Sequence, residues 1–246
     1  MTEPVPPTVQ HHRVVIVGAG FSGIGLAVRL LQRGTRDFCV LERGGDVGGT
    51  WRDNSYPGAA CDVPSNLYSF SFAPNPSWTR SFSPQPEIQA YLHDCAARFG
   101  VLPHVRLHHE VTGSVWDEDA QCWWVDTTRG RFRATVLVSA RGPLTEPRLP
   151  ELPGLEEFQG NGGAVFHSAR WDHGHSLSGE RVAVIGTGAS AVQFVPEIQP
   201  SVRRLTVFQR TPPWVIPRHD RRLTAVEHAC FRRISATQLA ARAAIY

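Results

Sequence analysis

The stretch Val14-Val15-Ile16-Val17-Gly18-Ala19-Gly20-Phe21-Ser22-Gly23 decides the fold. Arg13–Gly18 is an apolar, β-branched run closing on a glycine, which is how a strand buried in a parallel sheet reads. From Ser22 to Arg33 the spacing becomes helical, with Ile24, Ala27, Val28 and Leu31 on one face, and Gly34 stops the helix. Phe38–Glu42 is a second short strand and completes a β-α-β unit. The turn between strand and helix reads Gly18-x-Gly20-x-x-Gly23. The first glycine makes the tight turn, the second lets backbone approach a pyrophosphate, and the third allows the helix to lie close to the strand. The helix N-terminus supplies N–H donors. Glu42 follows Gly20 by 22 residues, where an acid accepts hydrogen bonds from both ribose hydroxyls.

Working outward, the same pattern recurs. Arg181–Ile185 is a strand, Gly186-Thr187-Gly188-Ala189-Ser190-Ala191 a second fingerprint with alanine in the permitted third place, Ala189–Ile198 a helix, and Arg204–Gln209 the next strand. Arg210 follows Gly188 by 22 residues, and Thr211 comes next. The position that holds an acid in the first unit therefore holds a base in the second. A carboxylate repels a 2′-phosphate, whereas a guanidinium binds one bidentately. Unit one is expected to take a nucleotide with a free 2′-hydroxyl, and unit two to take NADP. Two such units in one chain point to hydride passing from NADPH to a tightly held flavin, with the ring chemistry belonging to the cofactor. The plainer reading of Arg210 is a solvated surface arginine.

Between the units, Asp46–Pro86 is rich in Gly, Pro, Asn, Ser and aromatic residues and keeps no period; so long an irregular stretch in a compact domain usually wraps a ligand. Glu87–Phe99 returns to helix. Val105–Thr128 reads as an antiparallel meander turning at Asp117–Ala120, and Thr135–Ala140 as a further buried strand. Prolines between Pro143 and Pro153 mark a boundary. After Pro212, Pro213 and Pro217, an amphipathic pattern (Val226, Cys230, Phe231, Ile234) runs from Leu223 and is still helical at Tyr246.

Composition narrows the classes. The 246 residues, 41% hydrophobic and 19% charged, are those of an ordinary globular protein, and a net charge of +3 gives no argument for nucleic acid or an anionic membrane. Five scattered cysteines without C-x-x-C support neither a zinc site nor a redox pair, and suit reduced thiols in the cytoplasm. His167, His173 and His175 lie close together but lack further ligands at metal spacing, so no metal is expected. The stretch 1–12, with His11-His12, has no apolar core and is expected to be a polar leader rather than a signal peptide. No apolar run approaches the roughly 20 residues of a membrane span.

Three further segments carry a family resemblance. Gly48-Gly49-Thr50-Trp51 with Tyr56-Pro57-Gly58-Ala59-Ala60-Cys61-Asp62 closely resembles the flavin-contacting segment of the type I Baeyer–Villiger monooxygenases. Phe166-His167-Ser168-Ala169-Arg170-Trp171-Asp172 resembles that family's F-x-G-x-x-x-H-x-x-x-W-[P/D] fingerprint, and Val207–Pro212 its NADPH-phosphate strand. The resemblance implies that NADPH reduces FAD and that the reduced flavin captures dioxygen as a C4a-peroxide. That species attacks a ketone or other small-molecule substrate, giving an ester or lactone. It implies that Asp62 lies beside the flavin and tunes an active-site arginine, and that His167 and Trp171 serve the NADPH cycle from the linker between domains. Without it, Asp62 reads as a turn cap, and Trp51 and Trp171 as core aromatics.

The resemblance has departures. Phe158-x-Gly160 stands further from His167 than the fingerprint allows, whereas Gly163 has the proper spacing; and Arg141 replaces a small hydroxyl residue.

The expected fold is α/β with two Rossmann-like β-α-β units. After the leader come an incomplete FAD-binding domain with an antiparallel meander over 13–147, an incomplete NADPH-binding domain over 148–217, and a truncated helical segment over 218–246. Family members are about twice as long, so a remaining half, encoded separately or absent from a truncated reading frame, is expected to be needed for activity. Alternatives are a non-catalytic cofactor-binding remnant, an N- or S-oxygenating flavin monooxygenase, and a flavin reductase serving a protein partner.

Overall fold

A computed structural model describes residues 9–144 and 146–245. By their contacts these form two compact units interleaved in sequence. The first joins the chain up to Arg52 with Gln89 onward to the boundary near residue 145; the second joins Asp53–Ile88 with Glu146 onward.

In the first unit a six-stranded sheet is built from β1 (Gln10–Val17), β2 (Phe38–Leu41), β3 (Val105–Arg106), β4 (Val111–Asp117), β5 (Cys122–Thr127) and β6 (Gly130–Ser139), in the order β3-β2-β1-β6-β5-β4. β1 lies centrally, parallel to β2 through Val14↔Phe38 and to β6 through Val14↔Val136. β2 and the second half of β1, Val14–Val17, consist of the Val, Ile, Leu, Phe and Cys residues that a strand buried in a parallel sheet requires. Helix α1 (Phe21–Gln32) buries Gly23, Ile24, Ala27 and Val28, most of the face expected from its period. Val15, Cys39, Leu41, Val125, Phe132 and Ala134 form one core beneath the sheet.

Two expectations shift here. β1 starts at Gln10, so His11 and His12 pair with Arg133 and Ala134 instead of lying in a solvated leader; the His12 ring stacks 6.4 Å from Phe132. A long partner strand makes this extension possible. β6 is one strand of ten residues: its first half closes the meander antiparallel to β5, and most of its length runs parallel to β1. The rest of the leader, 1–8, lies outside the described residues.

In the second unit, β7 (Arg181–Ile185) and β8 (Arg204–Phe208) form a two-stranded parallel sheet, joined by α5 (Ala189–Ile198). Tyr56, Ala59, Val184, Ala191, Phe194 and Ile198 make its core. Ile185 and Phe208 remain more than half exposed, an uncommon state for parallel strands. α4 (Leu155–Gly160) precedes these in the second unit, while the four-residue α2 (Thr50–Asp53) and α3 (Gln85–Arg98) lie mostly in the first unit's segments.

The C-terminal pattern is two helices rather than one: α6 (Ala225–Arg233) and α7 (Ser235–Ala243), broken at Ile234, whose backbone leaves the helical region at φ −131° and ψ 85°. Thr224 and Glu227 form a reciprocal capping box at the start of α6. Helical spacing continues across Ile234, which is why periodicity alone joins the two. α7 ends at Ala243, and Tyr246 lies outside the described residues. No described helix is long and apolar enough to cross a membrane.

Candidate nucleotide sites

The first site is assembled from two glycine turns that touch. Gly18 ends β1 at φ +102°, and Gly20 is the N-cap of α1 with no side-chain cap, leaving the first-turn N–H groups available to an anion. Gly23 sits so close to the strand end that a Cβ there would lie 1.9 Å from the Gly18 carbonyl oxygen. The second turn, Gly48-Gly49, lies directly against the first: the Gly48 N–H donates to the Ala19 carbonyl at 2.8 Å, and a Cβ on Gly49 would come within 3.1 Å of the Gly20 Cα. Thr50 and Trp51 then begin α2, with the Trp51 N–H donating to the Gly48 carbonyl. Two side-chain-free backbone turns facing each other form a cradle that a Cβ would fill, which fits a pyrophosphate.

Glu42 is buried at the end of β2. Its Oε2 accepts from the Ala19 N–H at 2.9 Å, and its Oε1 from the Gly44 N–H at 2.8 Å and from Arg52 at 2.7 Å. Burial pulls its pKa up, but the two backbone donors and the Arg52 guanidinium together hold it below the ordinary carboxylate value. Oε1 already accepts two hydrogen bonds and Oε2 only one, so acceptor capacity for a ribose hydroxyl remains on Oε2. No motif marks Arg52; its only signal in the sequence is a cation ten residues after an acid.

The remaining residues expected beside the flavin belong to the second unit. Tyr56 is buried, its ring edge-on to Phe194 at 6.0 Å. Asp62 is exposed and follows buried Cys61, whose carbonyl accepts from Arg218 at 3.3 Å. Asp220 gathers Arg80, Ser81 and the Phe82 N–H around its carboxylate, holding 218–223 alongside 79–82.

The second glycine turn repeats the first with more room. Gly186 ends β7 at φ +106°, Gly188 caps α5 without a side-chain hydrogen bond, and neither would meet an atom within 4 Å if given a Cβ. Thr187 Oγ1 accepts from Gln209 at 3.3 Å, and Ser190 lies in the first turn of α5. Arg210 and Thr211, just past β8, are exposed. Arg141 is also exposed.

His167 Nδ1 accepts from the Ala169 N–H at 3.0 Å and so caps the short 3-10 turn Ser168–Arg170. Trp171 follows that turn, with Phe166 at 5.2 Å and Phe194 at 5.3 Å. The irregular spacing of the fingerprint has a structural counterpart. The Gly163 N–H donates to the Phe158 carbonyl, and a Cβ at Gly163 would fall 2.2 Å from the Phe158 ring. Helix α4 thus sets Phe158 over Gly163, the glycine at the proper distance from His167. His173 pairs with Ser55 and His175 with Glu180.

Comparison with known proteins agrees with this geometry. The sequence profile of the pyridine nucleotide-disulphide oxidoreductase family matches residues 15–242, and the chain belongs to that family. Within it the resemblance is to Baeyer–Villiger monooxygenases. A Baeyer-Villiger monooxygenase of Streptomyces coelicolor is 58% identical over 228 residues, 93% of this chain and 43% of the relative. The crystal structure of a Rhodococcus cyclohexanone monooxygenase bound to NADP+ superposes with a TM-score of 0.85 at 35% identity, over 94% of this chain and 44% of that one. The structure of OTEMO in complex with FAD and NADP gives a TM-score of 0.84 at 33% identity, over 95% and 45%. The chain thus spans under half the length of these relatives.

Proposed function

We propose that this chain binds FAD at the Gly18–Gly23 turn and NADPH at the Gly186–Ala191 turn, and that it supplies the cofactor-binding part of a Baeyer–Villiger-type monooxygenase. One observation carries this reading: two glycine turns of the same form, each leading into an uncapped helix, are followed at the same interval by opposite charges. Gly18, Gly20, Gly23, Gly49, Thr50 and Trp51 cradle the pyrophosphate, and Glu42 holds the ribose. The resemblance adds Tyr56 and Asp62 to the flavin contacts. Gly186, Thr187, Gly188 and Ser190 receive the second pyrophosphate, while Arg210 and Thr211 bind the 2′-phosphate.

FAD, when bound, supplies a ring that accepts hydride from NADPH and activates dioxygen for insertion next to a ketone carbonyl. The chain's own residues bind and orient. Asp62 is exposed at the end of its loop, and the family resemblance supports a role for it in holding a cation beside the flavin. His167 shapes the turn that delivers Trp171 into the core of the second unit, so both act through position. The full reaction and its ketone substrate belong to a protein of the relatives' length. Free cysteines, four of them buried, fit a cytoplasmic setting.

Titrating the purified chain with FAD while following flavin absorbance tests the first site; a protein that remains colourless overturns it. For the second site, Arg210→Ala is expected to weaken NADPH binding about tenfold or more, the value of a charge-assisted phosphate contact, and to leave NADH nearly unchanged. Equal losses for both nucleotides refute the phosphate role.

A further inference from the structure

Gln193, which neither glycine motif includes, holds three hydrogen bonds to the loop that ends at Asp62. Its Oε1 accepts from the Tyr56 hydroxyl at 3.0 Å and from the Ala60 N–H at 3.2 Å, while its Nε2 donates to the Ala60 carbonyl at 2.9 Å. The side-chain amide thus pairs with both backbone groups of one residue, as a neighbouring strand would. The other side of that loop is also pinned: Ala60 bridges Pro84, the Cys61 N–H donates to the Ser83 carbonyl, and the Gln85 N–H donates to the Ala59 carbonyl.

The loop rides closely on α5. A Cβ at Gly58 would lie 2.8 Å from Glu197 Cγ and 2.9 Å from the Gln193 carbonyl oxygen, so only glycine lets the backbone approach this helix. Tyr56 packs on Phe194, the next residue of the same helix. Ser190, in the first turn of α5, precedes Gln193 by three residues, the interval that places side chains on neighbouring positions of one face. A single helical turn therefore separates the end of α5 that opens to the nucleotide from the amide that grips the loop.

We infer that Gln193 is a positioning residue coupling the two: a 2′-phosphorylated nicotinamide nucleotide bound at the Gly186–Ser190 turn orders the Tyr56–Asp62 loop through α5. A ligand that steadies the first turn of α5 makes local opening of whatever is fastened to that helix rarer. The coupling is reciprocal, so a ligand that orders the loop tightens nucleotide binding by the same factor. The inference rests on the NADPH reading of the second turn, and it adds that this nucleotide acts on the residues assigned to the flavin.

Hydrogen exchange on the full chain, with NADP+ as the probe, tests it. In the wild type, NADP+ is expected to slow exchange at the Ala60 and Cys61 amides by about tenfold, within the usual range of coupling between sites. In Gln193→Ala, nucleotide titration is expected to show binding retained while this slowing shrinks to about twofold or less. A merely structural role for Gln193 would instead raise exchange throughout the second unit, β7 included, and leave the NADP+-dependent change intact. Gln193→Glu keeps the acceptor but loses the donor to Ala60, and is expected to fall between. If Gln193→Ala does not fold, Tyr56→Phe, which deletes one hydrogen bond of the three, must show a smaller NADP+ effect than the wild type. Equal protection in wild type and variant overturns the coupling. Failure of NADP+ to bind the wild type, seen in the titration itself, overturns the nucleotide site and the coupling with it.

Discussion

Gly23 and Ala191 occupy the same third place in two copies of one motif, and a single methyl group separates their situations. At Gly23 a Cβ would be driven into the Gly18 carbonyl, whereas Ala191 carries its Cβ within the core of the second unit. The first turn is wound tightly at the end of a central strand with partners on both sides; the second closes a sheet of two strands and leaves open space around Gly186 and Gly188. The charged residues differ in the same way. Glu42 is buried, hydrogen-bonded and ion-paired, while Arg210 is exposed. The acid of the first unit is therefore part of the fold whatever it binds, whereas the base of the second is free of that structural duty and has only its proposed phosphate role.

Adding the same methyl group to both turns should separate them most clearly. Gly23→Ala is expected to destabilise the first unit by about 3 kcal/mol, since the obstacle is backbone and α1 must shift off the strand. Gly188→Ala, at ordinary φ with nothing nearby, should cost under about 1 kcal/mol in the same urea titration. Comparable losses would show that the two turns are equally tight.

Glu42→Gln comes next, at about 2 kcal/mol, because it leaves Arg52 and two backbone donors facing a group without charge. It also has a pH signature. The folded pKa of Glu42 lies below its unfolded value, so its stabilising contribution is complete above about pH 4.3 and disappears as pH falls through the depressed folded value. Wild-type stability should decline across that acid window more steeply than that of Glu42→Gln, as followed by circular dichroism. Parallel slopes would remove Glu42 from the fold's charge balance. The smallest effect is expected from removing a methyl group in the second turn: Ala191→Gly should cost about 1 kcal/mol, the helix-propensity difference, with no relief of strain. A gain in stability there would reveal a crowded second turn.

Much of this contrast was legible in the sequence, and the reasons are local. The runs Arg13–Gly18 and Arg181–Ile185, the glycine spacings and the equal intervals to Glu42 and Arg210 lie within short windows, where chain geometry dictates the outcome. The meander was readable for the same reason, with its turn after Asp117. What escaped notice depends on partners distant in sequence. Gln193 finds Ala60 across 133 residues, and nothing in Ser190–Pro196 marks that glutamine as different from a solvated one. The C-terminal helices show the same limit. Apolar spacing pointed to Val226 and Ile234, both largely exposed, whereas buried Gln238 anchors α7 by donating to the Asn75 carbonyl at 2.6 Å. A polar residue that buries itself to satisfy a distant carbonyl leaves no hydrophobic period to read.

β6 bears on how the chain is made. Its register with β1 pairs Val14 with Val136 and Val17 with Ser139, contacts separated by nearly half of the chain. One edge of β1 therefore stays open during synthesis until Ser139 has left the ribosome, on the order of ten seconds after Val17 at ordinary elongation rates. Through that interval β1 is an apolar, β-branched strand with an open edge, and such edges attract other chains. High contact order makes the first unit slow to fold, since a long loop must close before the central pairing yields anything. Chaperone dependence during expression should thus be governed by the arrival of β6, and a shorter gap between β1 and β6 should relieve it.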